Sequence, residues 1–565
     1  MKASVLVTGL LSAGGAAAGS SCKCFPGDSC WPSTSKWNTF NSTVGGRLIA
    51  TVPLANVCHD PTLNSAACTT LQSRWQFPDV HMADSASIMA PNHLNQSCDP
   101  FTPASKPCTL GNYVRYAVKA TSSDDVKKTV AFAKQNNIRF VIRNTGHDYL
   151  GRSTGAGALS IWTHHLKSID FKTFSDTFYN GPAVKVGAGV QGFEILAAAK
   201  ARGKVVVTGE CSTVGLAGGY TQGGGHSALS TSFGLAADNA LEYEVVTADG
   251  RFLTASRTRN SDLYWALSGG GGGNYGVVVS LTAKTFPDAK VGGVSISFFS
   301  ASVPEDKFWA GIEAFHKSLP GMVSAGSMVV YYFTPAFFMI APLTAYNKSE
   351  AEVRQIVAPF IAKLNALNVT HTATYSETAN YYDHYDQYFG PLPNGAIQVG
   401  IAQYGGRLVP RRVLETPAPA AALHAAARSI TEQGVTWIGV GTDVSSFGAN
   451  CANSVLPAWR KAIVHVTLTT EWSFDPAQWG LMGQRRQLMT NTIMPAIEAV
   501  TPGSGAYMNE GDHQQKNFQR EFFGDNYKTL QTIKKKYDPE GFFYATKAVN
   551  SEKWTVGGDG RLCKA

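Results

Sequence analysis

The spacing of apolar and polar positions divides the chain into zones. Between residues 111 and 290, short apolar runs alternate with segments of helical period. Ser122-Ser123-Asp124-Asp125 reads as a cap for a helix running through Asn136. Ile138–Ile142 is a short apolar strand. Ala183–Val186 and Val205–Thr208 are strands around a helix at Phe193–Ala201, and Leu241–Thr247 and Gly276–Leu281 are strands too. From 291 to 500 the β-rich runs lengthen, as at Val294–Phe299 and Met328–Phe333. Helices such as Glu350–Leu367 stand among them, with Pro359 placed to kink that helix. This change of character predicts a second α+β domain. Residues 501–565 return to loop–helix–loop. Residues 20–110, rich in Cys, Pro, Ser and Asn, predict irregular structure, and no internal repeat or low-complexity linker is visible.

Composition narrows the function classes. With 565 residues the chain has room for two to four domains at roughly 150 residues each. Its 44% hydrophobic content supplies a sizeable core and excludes wholesale disorder. Lys+Arg minus Asp+Glu is 48 − 40 = +8, with no basic block, so nucleic acid is not an expected partner. The body of the chain lacks an apolar run of about 18 residues, so no membrane span is expected. The 56 glycines cluster without a three-residue period, which excludes collagen and points to loops that carry backbone against a ligand.

The first residues bear on compartment. Lys2, the apolar stretch from Ala3 to Leu11 and the small-residue run ending Ala16-Ala17-Ala18 predict a signal peptide over 1–18 and a secreted, extracellular protein. Ten cysteines agree: 22, 24, 30, 58, 68, 98, 108, 211, 451 and 563. Cys58/Cys68 and Cys98/Cys108 share a spacing of ten and are the expected local disulfides. Sequons at Asn41, Asn95, Asn347 and Asn368 suit N-glycosylation.

Candidate chemistry concentrates in glycine-rich segments. Gly187-Ala188-Gly189-Val190-Gln191-Gly192 follows a strand and opens a helix, with Glu210 23 residues after Gly187. That spacing matches a dinucleotide fingerprint. It also fits a tight turn that needs glycine for its backbone alone. Four further segments compete with it for phosphates. Arg143-Asn144-Thr145-Gly146-His147-Asp148-Tyr149-Leu150-Gly151 follows a strand directly. Gly209-Glu210-Cys211-Ser212-Thr213-Val214-Gly215-Leu216-Ala217-Gly218-Gly219 continues to Gly223-Gly224-Gly225-His226. Gly234-Leu235-Ala236-Ala237-Asp238-Asn239 is the third. The fourth is Ser268, five glycines, then Asn274-Tyr275-Gly276. Such turns present backbone N–H groups to anions.

In this order and spacing the segments resemble the berberine-bridge-enzyme-like FAD-linked oxidases of the vanillyl-alcohol oxidase superfamily, and the overall layout resembles secreted fungal members. The likeness runs from about 110 to 290 and resumes near 504–550. It implies an α+β fold. A PCMH-type FAD-binding domain of two subdomains would occupy 19–290, with its core at 110–290, and be completed by 501–565. An α+β substrate domain with an antiparallel sheet would occupy 291–500. The resemblance implies FAD held twice, by His147 and by Cys211. It implies further cofactor contacts from Arg143, Asn144, Thr145, Gly146 and Asp148, and from Thr213, Val214, Gly215, Gly218, Gly219, Gly224, Gly225 and His226. Gly234, Leu235, Asp238, Asn239, Gly276, Val277, Tyr507 and Asn509 complete the implied set. Setting Cys211 aside leaves nine cysteines, so at least one more thiol is unpaired or the Cys211 assignment fails.

The resemblance also implies a reaction. In the family, valine at the place of Val214 goes with oxidases, so a secreted oxidase is expected that passes a hydride from an alcohol-type substrate, carbohydrate or phenolic, to FAD and then electrons to O2. Alternatives are a secondary-metabolite oxidase forming a ring or double bond, and a flavin-loaded binding protein with little turnover. The expected base is His465, seven residues before Trp472, where plant members carry glutamate; a core histidine is the other reading. Glu510 in Tyr507-Met508-Asn509-Glu510-Gly511-Asp512 stands where the family has a catalytic tyrosine. Tyr149 is a candidate substrate contact. Tyr381, Tyr382, Tyr385, Tyr388 and Phe389 offer stacking surfaces, although their spacing is equally the core face of a helix. A monomer is expected, and no metal site.

Overall fold

The structure is a computed structural model that describes residues 22–448 and 452–565; the expected signal peptide and Cys451 lie outside the described residues. Two sheets stand near each other in the first half. One runs Leu48–Ala50, Tyr116–Lys119, Leu159–Trp162, Phe140–Arg143 in spatial order, the last three strands parallel. The other is five-stranded and antiparallel, in the order Ile169–Ser175, Asn180–Gly187, Val277–Lys284, Ala240–Val246, Phe252–Ser256. The expected capped helix forms over Ser123–Gln135, with Ser122 and Asp125 satisfying each other's backbone N–H groups.

The second half carries a seven-stranded antiparallel sheet: Thr372–Thr378, Val291–Phe299, Phe337–Tyr346, Met328–Phe333, Thr436–Gly441, Ala462–Glu471, Ala402–Pro410. Helices Glu305–Ser324, Glu350–Ala366 and Pro417–Thr431 cover one face. Phe308, Phe315, Val357, Phe360 and Ile430 pack there against Ile296, Tyr331 and Trp437. Side chains alternate along a strand. On Ala462–Glu471 this sends Val464, Val466 and Leu468 into that core and leaves His465, Thr467 and Thr469 on the opposite face. The tail returns to the five-stranded sheet, where Met508, Phe522, Phe523, Leu530 and Ile533 join the core of Val184, Val186, Tyr243 and Val245. The architecture is α+β, as expected.

One expectation is corrected, and of the two readings of the glycine run at 187–192 the tight turn holds. Residues 20–110 are not irregular: they hold helices Thr34–Thr43, Ser65–Arg74 and Pro78–Ala83 and the strand Leu48–Ala50. Ser33 and Asn64 cap the first two helices, and Trp37 and Phe40 pack on Val126, Val130 and Phe132. The glycine run at 187–192 is not a dinucleotide site, because its strand lies in an antiparallel sheet rather than a parallel βαβ unit. A Cβ on Gly187 would stand 2.3 Å from the Leu166 carbonyl oxygen, and one on Gly189 2.1 Å from that of His164, so these glycines permit chains to cross.

Both expected disulfides, Cys58–Cys68 and Cys98–Cys108, are present. Cys24–Cys30 and Cys22–Cys563 add to them, the last tying together segments 541 residues apart. Among the described residues Cys211 is the free cysteine.

Candidate active site

A cavity of about 450 Å³ opens between the glycine-rich segments and the face of the seven-stranded sheet opposite helices Glu305–Ser324, Glu350–Ala366 and Pro417–Thr431. Its first wall is the loop after strand Phe140–Arg143. Arg143 itself stays behind the wall, its guanidinium donating to the backbone oxygens of His81 and Asp84. Asp148 folds the loop by accepting from the N–H groups of Leu150, Arg152 and Ser153. This leaves Asn144, Thr145, Gly146, His147 and Tyr149 on the cavity surface. His147 Nε2 lies 2.7 Å from Thr213 Oγ1, and Cys211 Sγ lies 3.9 Å from the same nitrogen. Burial lowers the His147 pKa to about 3, so the ring is neutral; burial raises that of the Cys211 thiol.

Glycines form the second wall. A Cβ on Gly215 would stand 2.2 Å from Asn144 Oδ1, so that close crossing requires glycine. A Cβ on Gly219 would meet nothing within 4 Å, and one on Gly273, at φ +76°, only Ala545 at 4.0 Å. Both residues face the cavity, so side chains there would occupy the space a cofactor needs. Arg152 also lines it, with Nη2 buried and without a hydrogen-bond partner. Asn509 Nδ2 donates to the Gly219 oxygen and to the Tyr507 hydroxyl, fastening the tail to this wall. A glycine cradle, an unpartnered guanidinium N–H and a His/Cys pair fit a flat cofactor with anionic groups such as FAD.

Other expected contacts lie elsewhere. Gly234, Leu235, Asp238 and Asn239 are outside the cavity wall. Asp238 instead binds the Arg460 guanidinium and Asn453, and Asn239 donates to the oxygens of Phe233 and Leu235. Val277 packs into the core with Val246, while Gly276 and Val278 reach the cavity. Gly224 and Gly225 stand behind the wall, where Gly225 N–H donates to the Tyr507 hydroxyl. Residues 381–389 form a helix with Tyr381, Tyr385 and Phe389 buried, as its spacing allowed. The Tyr385 hydroxyl braces the Cys211 segment at 2.8 Å from the Glu210 oxygen.

The acid–base groups gather at the sheet face. Glu510 projects into the cavity with 26% of its side chain exposed, whereas His465 is fully buried behind it. Glu510 Oε1 is 2.9 Å from His226 Nε2, and Oε2 is 2.8 Å from His465 Nε2 and 3.1 Å from Thr467 Oγ1. Burial alone would raise the Glu510 pKa, but the charge of His226 and hydrogen bonds from both imidazoles hold it well below the usual carboxylate value. Burial would lower that of His226, but Glu510 and Glu210 raise it to about 10. Burial lowers that of His465. The trio is therefore carboxylate, imidazolium and neutral imidazole. Tyr149 stacks on Tyr404 with centroids 3.7 Å apart, forming a flat aromatic wall. Arg152, Tyr404 and Thr467 escaped the sequence reading; strand alternation from His465 pointed to Thr467 alone.

This fold and site define a flavin-dependent oxidoreductase. Residues 114–256 match the family model of an FAD binding domain, and 506–550 that described as berberine and berberine like. The FAD-linked oxidoreductase ZEB1 of Gibberella zeae is 55% identical over 96% of this chain and 95% of its own. The structure matches the VAO-type flavoprotein MtVAO615 of Myceliophthora thermophila C1 with a TM-score of 0.93 and 42% identity, over 96% of this chain and all of that one. A glucooligosaccharide oxidase of Acremonium strictum, 19% identical with a TM-score of 0.64 over 78% of this chain and 91% of its own, shares the fold alone. The chain belongs to the FAD-linked oxidoreductases of the vanillyl-alcohol-oxidase type with a berberine-like C-terminal segment.

Proposed function

We propose that this oxidoreductase is a secreted alcohol oxidase with bicovalent FAD. The carrying observation is Glu510, a carboxylate held between two imidazoles and facing the cavity that His147 and Cys211 also line. The bound flavin supplies a two-electron acceptor that O2 regenerates with release of H2O2. Glu510 accepts the substrate hydroxyl proton, and His226 and His465 orient it. Its low pKa keeps it ionised at neutral pH at some cost in basicity, which closeness to the hydroxyl offsets.

Thr213 occupies Nε2 of His147, leaving Nδ1 for the flavin, with Cys211 as the second tether. The Acremonium oxidase carries a 6-S-cysteinyl, 8α-N1-histidyl FAD, which is the same pair of residue types. Val214 lines the cavity, which supports the oxidase role that the family resemblance gives a valine at this place. The four disulfides and the exposed Asn95, Asn347 and Asn368 support secretion and glycosylation.

A second reading is a secondary-metabolite oxidase that forms a ring or double bond. It is favoured by the apolar cavity wall of Ile397, Val399, Ile401, Ile438 and Val440 beside the Tyr149–Tyr404 stack. The test is anaerobic flavin bleaching and aerobic H2O2 release across sugars, phenolic alcohols and apolar secondary alcohols, with product structures determined. A carbonyl product supports the first reading. A ring or alkene supports the second, and no bleaching by any substrate refutes both.

A further inference from the structure

Two imidazoles and a carboxylate converge at the inner end of the cavity. The ligating atoms of His226, His465 and Glu510 all lie within 4.8 Å of one another. They come from a glycine-rich loop, a strand of the seven-stranded sheet and the C-terminal tail, so no spacing motif announces them. We propose that His226, His465 and Glu510 form a site for one divalent cation, zinc by its donor set, with an open fourth position toward the substrate.

The donor set comes first. Two imidazoles and one carboxylate hold catalytic zinc at about 2.0–2.2 Å and leave one position free. Tetrahedral bonds of that length separate ligand atoms by about 3.3–3.6 Å. The His–Glu distances here are 2.9 and 2.8 Å, so a small rotation of each side chain admits the ion. The surroundings come second. Glu210 Oε1 stands 3.4 Å from Nδ1 of His226 and neither atom has a hydrogen-bond partner, so a small shift pairs them, placing a carboxylate behind the histidine with Nε2 free to ligate. Thr467 Oγ1 steadies the Glu510 carboxylate at 3.1 Å. Access comes third. His465 is sealed in the protein, while His226, Thr467 and Glu510 line the cavity, so the free position opens where substrate would lie.

In the cation-free protein a proton shared by His226 and Glu510 fills this place, and zinc displaces it. The ion polarises a substrate hydroxyl in the fourth position, and the Glu510 oxygen that does not ligate it accepts the proton. That step rests on the cavity being the substrate site; the cation site does not. A second grouping among the described residues, Cys24, Asp28 and Cys30, does not compete, because its cysteines are joined in a disulfide.

The test uses full-length, flavin-loaded protein stripped with a chelator, dialysed against ZnCl2 alone and counted for metal. One zinc per chain is expected. His465→Ala and Glu510→Gln should reduce it to background, and Glu210→Gln should weaken affinity about 10–100-fold. The flavin spectrum and melting temperature report whether each variant is folded. If a variant fails to fold, zinc-edge X-ray absorption on the unmodified protein decides, with two imidazoles, oxygen and no sulfur expected. Zinc no higher in the unmodified protein than in folded variants, or bound through sulfur, overturns the site. No zinc bound, with flavin still reduced by substrate, overturns the cation and leaves the oxidase reading standing. Zinc retained, with no substrate reducing the flavin, does the reverse.

Discussion

Replacing Glu510 by Gln is the sharpest perturbation of the reaction. The amide keeps the shape of the side chain and removes the negative charge. The carboxylate takes hydrogen bonds from His226 and His465 at 2.9 and 2.8 Å and presents its exposed edge to the cavity. Removing a positioned proton acceptor typically costs about 10²–10⁴ in rate, or about 2.7–5.5 kcal/mol of barrier. The lower end is the better expectation, since a carboxylate held well below its usual pKa is a weaker base than an unpaired one. Flavin reduction should therefore slow at least about a hundredfold, while saturation with substrate changes little. Anaerobic stopped-flow spectroscopy at the flavin band measures it. His465 has no exposed surface, so His465→Asn should act only through Glu510 and slow reduction less. Glu510→Gln reduced at the unmodified rate, or His465→Asn slower than Glu510→Gln, would refute this assignment.

Other outcomes follow from the same geometry. Flavin should stay with the chain after acid precipitation, and His147→Ala or Cys211→Ala alone should leave one bond intact; free FAD released from the unmodified protein would sink the bicovalent reading. Val214→Leu should slow reoxidation by O2 with little change in anaerobic reduction, as mixing reduced protein with oxygenated buffer would show. His316 is buried among Phe315, Tyr331, Phe333 and Trp437, with neither ring nitrogen hydrogen-bonded, and burial lowers its pKa to about 3. Its depressed pKa means the stability it allows is present above about 6.5 and is lost as pH falls toward 3, at about 1.4 kcal/mol per pH unit. His316→Phe should raise the melting temperature more at pH 4 than at pH 8, and an equal gain at both would count against it.

By itself the sequence determined the elements whose signals are local. The Ser122 cap, the strand at Met328–Phe333 and the ten-residue disulfide loops needed only neighbouring residues to be read. The order of the glycine segments around His147 and Cys211 carried the family resemblance, and the resemblance implied the cofactor; the glycines themselves say only that backbone comes close to a ligand. Tertiary structure decided what depends on distant contacts. It placed Cys22 on Cys563 and packed Trp37 and Phe40 under a helix ninety residues on, which no local pattern in a Cys- and Ser-rich stretch could show. It set Asp238 on Arg460 and so took the segment at 234–239 away from the cavity. It also put Glu510 in front of His465. Alternation along one strand says only which face a side chain takes; which group stands nearer the cavity depends on how the tail crosses that face, 45 residues later in the chain.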